Sequence, residues 1–388
     1  MTTSAPAAPS GAQDPIAFTR PWYDEREAEA VRAALATQSS GDGPVGRRVE
    51  KRLASLLRAR RVLLTTSGTH ALELALLALG IGPGQEVICP SFTFVSSANA
   101  VLRVGARPVF ADIEDATLGL DPADVERRIG PRTTALIPVD YAGVAPDMEA
   151  LGTIARRSGL RVVEDAAQGV AASWRGRALG TLGDAGCLSF HETKNVSCGE
   201  GGALVLDDPE VIARAEIARE KGTNRSAFLR GQVDKYTWVA EGSSYVLSDV
   251  LAAILEVQLD KLETIQARRA AIVARYRDGL SSWARARGIR LPAELPERGP
   301  NHHIFHLLYP DGRLRDEALG RLRTGGVMAT FHYVPLHSSP YGSQFAGAAD
   351  RLPVTDRVAA TLLRLPLHHG ITDAQADRVI TAVQETGA

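Results

Sequence analysis

The segment from Ser189 to Gly202, SFHETKNVSCGEGG, decides how the rest of the chain is read. It lies between two apolar runs, AGCLSF (185–190) and ALVL (203–206), and carries Lys194 with no partner at helical spacing. Most lysines keep their ammonium wet on helix surfaces or chain tips. A lysine in a turn that joins two buried strands must either reach out to solvent or do chemistry at a lowered pKa.

Working outward, short apolar runs recur between about residues 60 and 208: RVLLTTS, EVICPS, RPVFADI, TALIPVD, RVVEDAA, AGCLSF and GALVLDD. Most are too apolar to alternate, as expected of strands buried on both faces. Between them lie helix-like segments, HALELALLALG, SSANAVLRVG, PADVERRIG and PDMEALGTIARRSG. This alternation predicts an α/β fold with a mostly parallel sheet flanked by helices. Ligands bind such sheets at the carboxyl ends of the strands, where Lys194 and Asp165 fall. Beyond Asp208 the pattern turns helical over 209–221 and 247–278, with apolar residues at three- and four-residue steps. The expected division is a disordered tail over 1–15, a large domain over 16–260 and a smaller C-terminal α/β domain over 261–388.

Composition narrows the function classes. Hydrophobic residues make up 45% and charged residues 23%, as in ordinary globular proteins. A formal net charge of -1 gives no basic field, so neither nucleic acid nor an anionic membrane is an expected partner. Cys89, Cys187 and Cys198 are odd in number and lack metal spacing, which argues for a reducing compartment and against a disulfide framework or a zinc site. The opening MTTSAPAAPSGAQD lacks the basic start and apolar centre of a signal peptide. No uncharged apolar run reaches the roughly 20 residues that span a bilayer. The expected location is the cytoplasm.

Three stretches could carry chemistry. In TTSGTHALELALLALG (65–80) a strand gives way to a Ser-Gly-Thr turn and an apolar helix. Unpaired N–H groups and the dipole there can hold a phosphate, with Gly68 allowing close approach and Thr69 adding a hydroxyl. The same residues also serve as a plain N-cap. In VVEDAAQG (162–169), Asp165 ends a buried strand and needs a cationic or hydrogen-bonding partner, from a distant arginine or from a ligand cation such as a protonated pyridine nitrogen; Gln168 could reach a ring hydroxyl. A helix N-cap is the alternative for Asp165. The Lys194 turn adds Ser189 as a second phosphate donor, and a lysine in such a confined site can form a Schiff base. Phosphate turn, buried carboxylate and Schiff-base lysine together describe a pyridoxal 5'-phosphate site. PSFTFVSSANAV (90–101) offers Phe92 or Phe94 to stack on the ring.

TSGTHALELAL, PSFTFVSSANAVLRVGARPVFADI, EDAAQGVAA and SFHETKNVSCGEGG resemble the signature blocks of the DegT/StrS nucleotide-sugar aminotransferases, from about residue 20 to the C-terminus. With FLRGQVDKYTWVAEGSSYVLSD (228–249), the lysine block is similar to the dTDP-4-amino-4,6-dideoxygalactose transaminase subgroup, which aminates C4 of dTDP-4-keto-6-deoxy-D-glucose. The resemblance implies a fold type I pyridoxal-phosphate transferase using L-glutamate as donor, and a homodimer with sites at the interface. It implies Lys194 as the Schiff-base lysine, Asp165 against the pyridine nitrogen and Gln168 near the ring hydroxyl. Gly68, Thr69 and Ser189 would form the phosphate cradle, with Phe94 ahead of Phe92 as the stacking aromatic. Ser244 stands where many relatives have an asparagine that reaches the phosphate across the dimer. FHYVPLHSSPY (331–341) looks like the substrate-side segment, which would bring His332 and His337 to the sugar. REKGTNRSAFLRGQVDKY (219–236) offers Lys221, Arg225, Arg230 and Lys235 to a nucleotide diphosphate, or is simply a solvated basic loop. Alternatives are a UDP-4-keto pentose or a 3-keto sugar as acceptor, a sugar dehydrase, which Lys194 opposes because those relatives carry histidine there, and a non-catalytic regulator.

Overall fold

All seven expected strands pair into one sheet. The computed structural model describes residues 14–37, 39–347 and 351–387; residues 1–13 of the expected tail lie outside the described residues. In chain order the strands are β1 (Arg61–Thr65), β2 (Glu86–Pro90), β3 (Arg107–Ala111), β4 (Thr133–Leu136), β5 (Arg161–Asp165), a two-strand hairpin of β6 (Ser173–Trp174) and β7 (Arg177–Ala178), then β8 (Ala185–Ser189) and β9 (Gly202–Leu206). The large sheet has the order β1-β9-β8-β5-β4-β2-β3. Only β9 opposes its neighbours, running antiparallel to both β1 and β8. Every residue of β8 and β9 is buried, which explains their unbroken apolar character.

Alternate side chains feed two cores. Leu64, Ile88, Leu136, Leu188 and Val205 pack on one face, and Leu63, Val87, Cys89, Val163 and Leu204 on the other. Each such leucine or valine contributes roughly 1.5–3 kcal/mol on burial. Helices cover both faces: α1 (Glu25–Leu35), α2 (Pro44–Leu57), α3 (Gly68–Ala78), α4 (Val95–Arg103), α5 (Pro122–Arg128), α6 (Met148–Ser158), α7 (Pro209–Arg219), the short α8 (Arg225–Leu229) and α9 (Asp249–Asp260). Asp24 and Glu27 start α1 with a reciprocal capping box.

The helical pattern expected over 247–278 is interrupted. After α9 the chain re-enters helix as α10 (Leu262–Ala286), with Lys261 at the joint. The Lys261 ammonium is buried against Glu27 at 2.6 Å and Asp24 at 3.1 Å, and so ties the joint to the start of α1. Beyond α10, β10 (Arg298–Gly299) pairs with β6. There follow β11 (His306–Leu308), α11 (Gly312–Thr324), α12 (Pro353–Thr361), β12 (Leu362–Arg364) and α13 (Asp373–Glu385), with β11 and β12 antiparallel. These elements and α10 enclose a third core that also takes in Ile16. Ile16 donates its N–H to the Gly326 carbonyl at 2.8 Å, so the first described segment packs with the C-terminal part, not with the sheet. A fourth cluster, including Phe92, Tyr141, Ile304 and Val358, joins the two parts beside the site.

Candidate active site

A cavity of about 450 Å³ opens at the carboxyl ends of β5 and β8, lined among others by Ser67, Gly68, Thr69, Phe94, Asp165, Gln168, Ser189, Lys194, His332, Tyr333 and Arg364. Lys194 occupies the loop between the antiparallel β8 and β9. That loop is closed by Phe190 N–H to Gly201 O at 2.8 Å, Glu192 N–H to Gly199 O at 2.9 Å and Cys198 N–H to Phe190 O at 3.0 Å. The next residue, Asn195, is buried and donates to Asn301 O at 2.8 Å while its Oδ1 lies 2.9 Å from His303 Nδ1. Since that oxygen can only accept, His303 Nδ1 carries the proton. Burial and the charges of Lys194, Arg269 and Arg364 hold His303 well below its ordinary pKa, so the ring is neutral. The lysine thus stands on a loop whose neighbours are fixed.

Burial lowers the Lys194 ammonium to about 8; Asp165 opposes the shift and Arg364 adds to it. Asp165 terminates β5 and accepts from Ser97 Oγ at 2.8 Å and Ala167 N–H at 3.2 Å. Burial raises its carboxyl, against the Ser97 and Ala167 donors and the Lys194 charge. A cationic partner would reverse that shift.

The N-terminus of α3 also lines the cavity, its N-cap Ser67 accepting from His70 N–H at 3.1 Å. Two glycines bring this turn against the strand ends. A Cβ on Gly68 would lie 2.9 Å from Ser189 Cβ, and one on Gly202 would collide with the Ser67 carbonyl. Thr69 Oγ1 bonds Ser96 Oγ at 2.7 Å. Phe94 caps α4 and is 60% exposed at the cavity, whereas Phe92 is fully buried against Tyr141 and Tyr333. Gln168 accepts from Ala142 N–H at 2.7 Å and donates to Tyr333 Oη at 3.1 Å. It thereby steadies Ala142, whose φ of 60° is in the left-handed region.

The cavity therefore gathers Gly68, Thr69, Phe94, Asp165, Gln168, Ser189, Lys194 and His332, and leaves out three expected residues. His337 turns away from it: its Nδ1 lies 2.7 Å from Ser91 Oγ and its Nε2 3.4 Å from Asp356, so it anchors the segment instead of facing the cavity. Arg230 pairs with Glu216 at 2.9 Å. Ser244 is exposed, in an isolated bridge with Glu220. Of the other loop cations, Arg225 is engaged by Asp42 and Glu220, each at 3.0 Å.

Sequence reasoning missed Arg364, Tyr333, Asn195 and His303. Tyr333, its phenol pushed up to about 12 by burial, follows the predicted His332 directly, so the motif contained it unread. Arg364 reaches the cavity because β12 is pinned between β11 and Thr330, a pairing with no local signal.

Among solved structures the chain is similar to the aminotransferase TlmJ of Streptoalloteichus hindustanus, with 35% identity and a TM-score of 0.88 over 96% of this chain and 98% of that one. It is similar to DesV of S. venezuelae, seen in complex with a ketimine intermediate, at 35% identity and a TM-score of 0.87 over 96% and 98%. Spr1654 of Streptococcus pneumoniae, provisionally assigned as a sugar aminotransferase, matches in its pyridoxal-phosphate form at 25% identity and a TM-score of 0.88, over 96% and 98%. It is also known in a pyridoxamine-phosphate form. The model of the DegT/DnrJ/EryC1/StrS aminotransferase family matches residues 21–384. On that match and these folds, the chain belongs to the DegT/DnrJ/EryC1/StrS aminotransferases, fold type I enzymes whose cofactor is pyridoxal phosphate.

Proposed function

We propose that this protein is a sugar aminotransferase that moves an amino group from L-glutamate to C4 of dTDP-4-keto-6-deoxy-D-glucose, giving dTDP-4-amino-4,6-dideoxy-D-galactose or its gluco epimer, in the cytoplasm. The observation that carries the reading is one cavity holding a lysine of lowered pKa, a buried carboxylate without a cationic partner among the described residues and an open helix N-terminus. The choice of C4 and of the dTDP sugar rests on the similarity of SFHETKN and the 228–249 segment to one subgroup.

The residues fit the cofactor. Gly68 and Ser189 are packed too closely for any larger residue at 68, and the first N–H groups of α3, with the Thr69 and Ser189 hydroxyls beside them, would hold the phosphate. Asp165 would hold a proton on the pyridine nitrogen and recover the stability that burial takes from its charge. Phe94 would cover one face of the ring, and Gln168 would lie near the ring hydroxyl. Pyridoxal phosphate supplies a carbonyl carbon that takes the amine and a ring that spreads the charge of a carbanion.

Lys194 does the proton work. Its neutral Nζ takes the proton from the donor's α-carbon and, in the second half-reaction, gives one to C4 of the sugar. Phe92 and Tyr141 back the site with a dry wall. His332 bonds Tyr141 Oη through Nδ1 at 3.2 Å and faces the cavity on the side proposed for the sugar. Ser244 and Arg230, away from this chain's cavity, would act on the cavity of a second copy in a homodimer. Incubating the enzyme with nitrogen-labelled glutamate and, separately, the dTDP-4-keto, UDP-4-keto-pentose and 3-keto sugars, with NMR assignment of the products, tests the proposal. Label on C4 of the dTDP sugar is expected. Label only on a 3-keto or pentose acceptor defeats the subgroup assignment, and label on none defeats the aminotransferase reading.

A further inference from the structure

A second cavity, of about 310 Å³, shares no lining residue with the active-site cavity. Leu118, Val273, Leu295, Ile304 and Phe305 give it apolar walls, and Arg277 of α10 and Arg298 of β10 line it as well. Neither guanidinium is well matched. Arg277 donates to Pro292 O at 2.7 Å, and its one carboxylate among the described residues is Glu294 at 3.4 Å, itself 78% exposed. Arg298 has no carboxylate in ion-pair reach among the described residues. Its Nε donates to Ala145 O at 2.9 Å, while Nη1 and Nη2 have only carbonyls, at 3.4 and 3.5 Å.

Backbone strain is concentrated around this cavity. Among the described residues nine other than glycine take a positive φ, and three of them, Leu118 (56°), Ala142 (60°) and His302 (52°), line it; none lines the active-site cavity. A left-handed leucine or histidine persists only where its surroundings hold it, and such residues gather at ligand clamps and switches. The strained wall also touches the active site. Ala142 N–H is held by Gln168 Oε1 at 2.7 Å, and Tyr141 Oη lies 3.2 Å from His332 Nδ1; both partners line the active-site cavity. Along residues 302–304 the chain alternates, with His302 and Ile304 on the second cavity and His303 on the first.

We propose that this cavity is a second ligand site, separate from the active site, which takes a small carboxylate with an apolar body. Two guanidiniums short of carboxylate partners select an anion, and their planar forks match a carboxylate. The apolar walls select a hydrocarbon body over a polar one. The volume stands at the low end of the roughly 300–1,000 Å³ usual for small-molecule sites, which suits a single ring with a short tail and is too small for a sugar nucleotide. An occupant would rest on Tyr141 and Ala142, the residues that tie this wall to the active site.

The probe is 3-phenylpropionate, with 3-phenylpropionamide as its uncharged match. The protein is holoenzyme whose cofactor has been fixed by borohydride, so that the active site stays filled. Calorimetry should show one saturable phenylpropionate per chain, bound about ten- to a hundredfold more tightly than the amide, the usual worth of a charge-assisted bond. Arg298→Met should erase most of that preference and Arg277→Met part of it. Leu295→Trp, which fills the cavity, should abolish binding of both compounds. The comparison of acid with amide on the unaltered chain stands even if a variant fails to fold. Equal binding of acid and amide overturns the proposal. So does the absence of saturable binding up to about 10 mM, or binding that survives unchanged in both Arg298→Met and Leu295→Trp.

Discussion

Lys194 is neutral in this site at a pH where a free lysine is charged, because burial lowers its pKa from 10.5 to about 8. The rate at which cofactor-free protein captures pyridoxal phosphate should therefore climb with pH and level off above about 8; a rate still climbing past 10, read by stopped-flow absorbance, contradicts this. Because Arg364 helps lower the lysine, Arg364→Met should move the midpoint upward. Asp165 and Lys194 stood out in the sequence because Asp165 ends a buried strand and Lys194 lies in the loop that joins two, where a charged side chain has few roles other than chemistry. Arg364 was not, because nothing local distinguishes an arginine at the end of a short apolar run from a surface one. His337 was misread for a related reason: its partner Ser91 lies far away in the chain, and only the folded contact shows that the ring faces Ser91.

At the scale of elements, β5 carries two acids with opposite fates. Asp165 faces the cavity, while Glu164 accepts from Gly180 N–H at 2.7 Å and Leu182 N–H at 2.6 Å. Beside it Asp140 is fully buried, and neither of its oxygens has a donor among the described residues. Burial and the neighbouring Glu164 push Asp140 well above the carboxylate range, so Asp140 keeps a proton and shares it with Glu164. A raised folded-state pKa contributes stability below the unfolded value of about 4 and loses it as pH rises toward the folded value. Asp140→Asn, which cannot ionise, should thus gain stability relative to wild type between about pH 4 and neutrality. Glu164→Gln sets an amide N–H₂ against a backbone donor and should cost about 1–3 kcal/mol. Urea denaturation at several pH values reads both; an Asn variant that loses ground as pH rises contradicts the shared proton. The seven sheet strands were legible because burial on both faces leaves continuous apolar runs. The break between α9 and α10 was not, because Lys261 at the joint is held by Glu27 across most of the chain.

At the scale of the molecule, one surface segment is rich in exposed apolar side chains. Along residues 228–239, Phe228, Leu229, Tyr236 and Trp238 are exposed, the last at 77%. This is the same segment that holds Arg230 and leads to Ser244, and a homodimer would cover it while bringing those residues to a second cavity. Trp238→Ala should weaken self-association by about 2 kcal/mol or more and lower activity at dilution. Sedimentation equilibrium that shows a monomer at all concentrations contradicts this. Among the described residues no helix is long and apolar enough to cross a membrane. Both half-reactions proposed for this site require one bond, between the cofactor and Lys194. Borohydride reduction of the holoenzyme, followed by peptide mapping, tests it most directly. The cofactor's mass should appear on the peptide containing Lys194 and vanish in Lys194→Ala; cofactor fixed on another lysine, or none fixed on a protein that holds pyridoxal phosphate, contradicts the account.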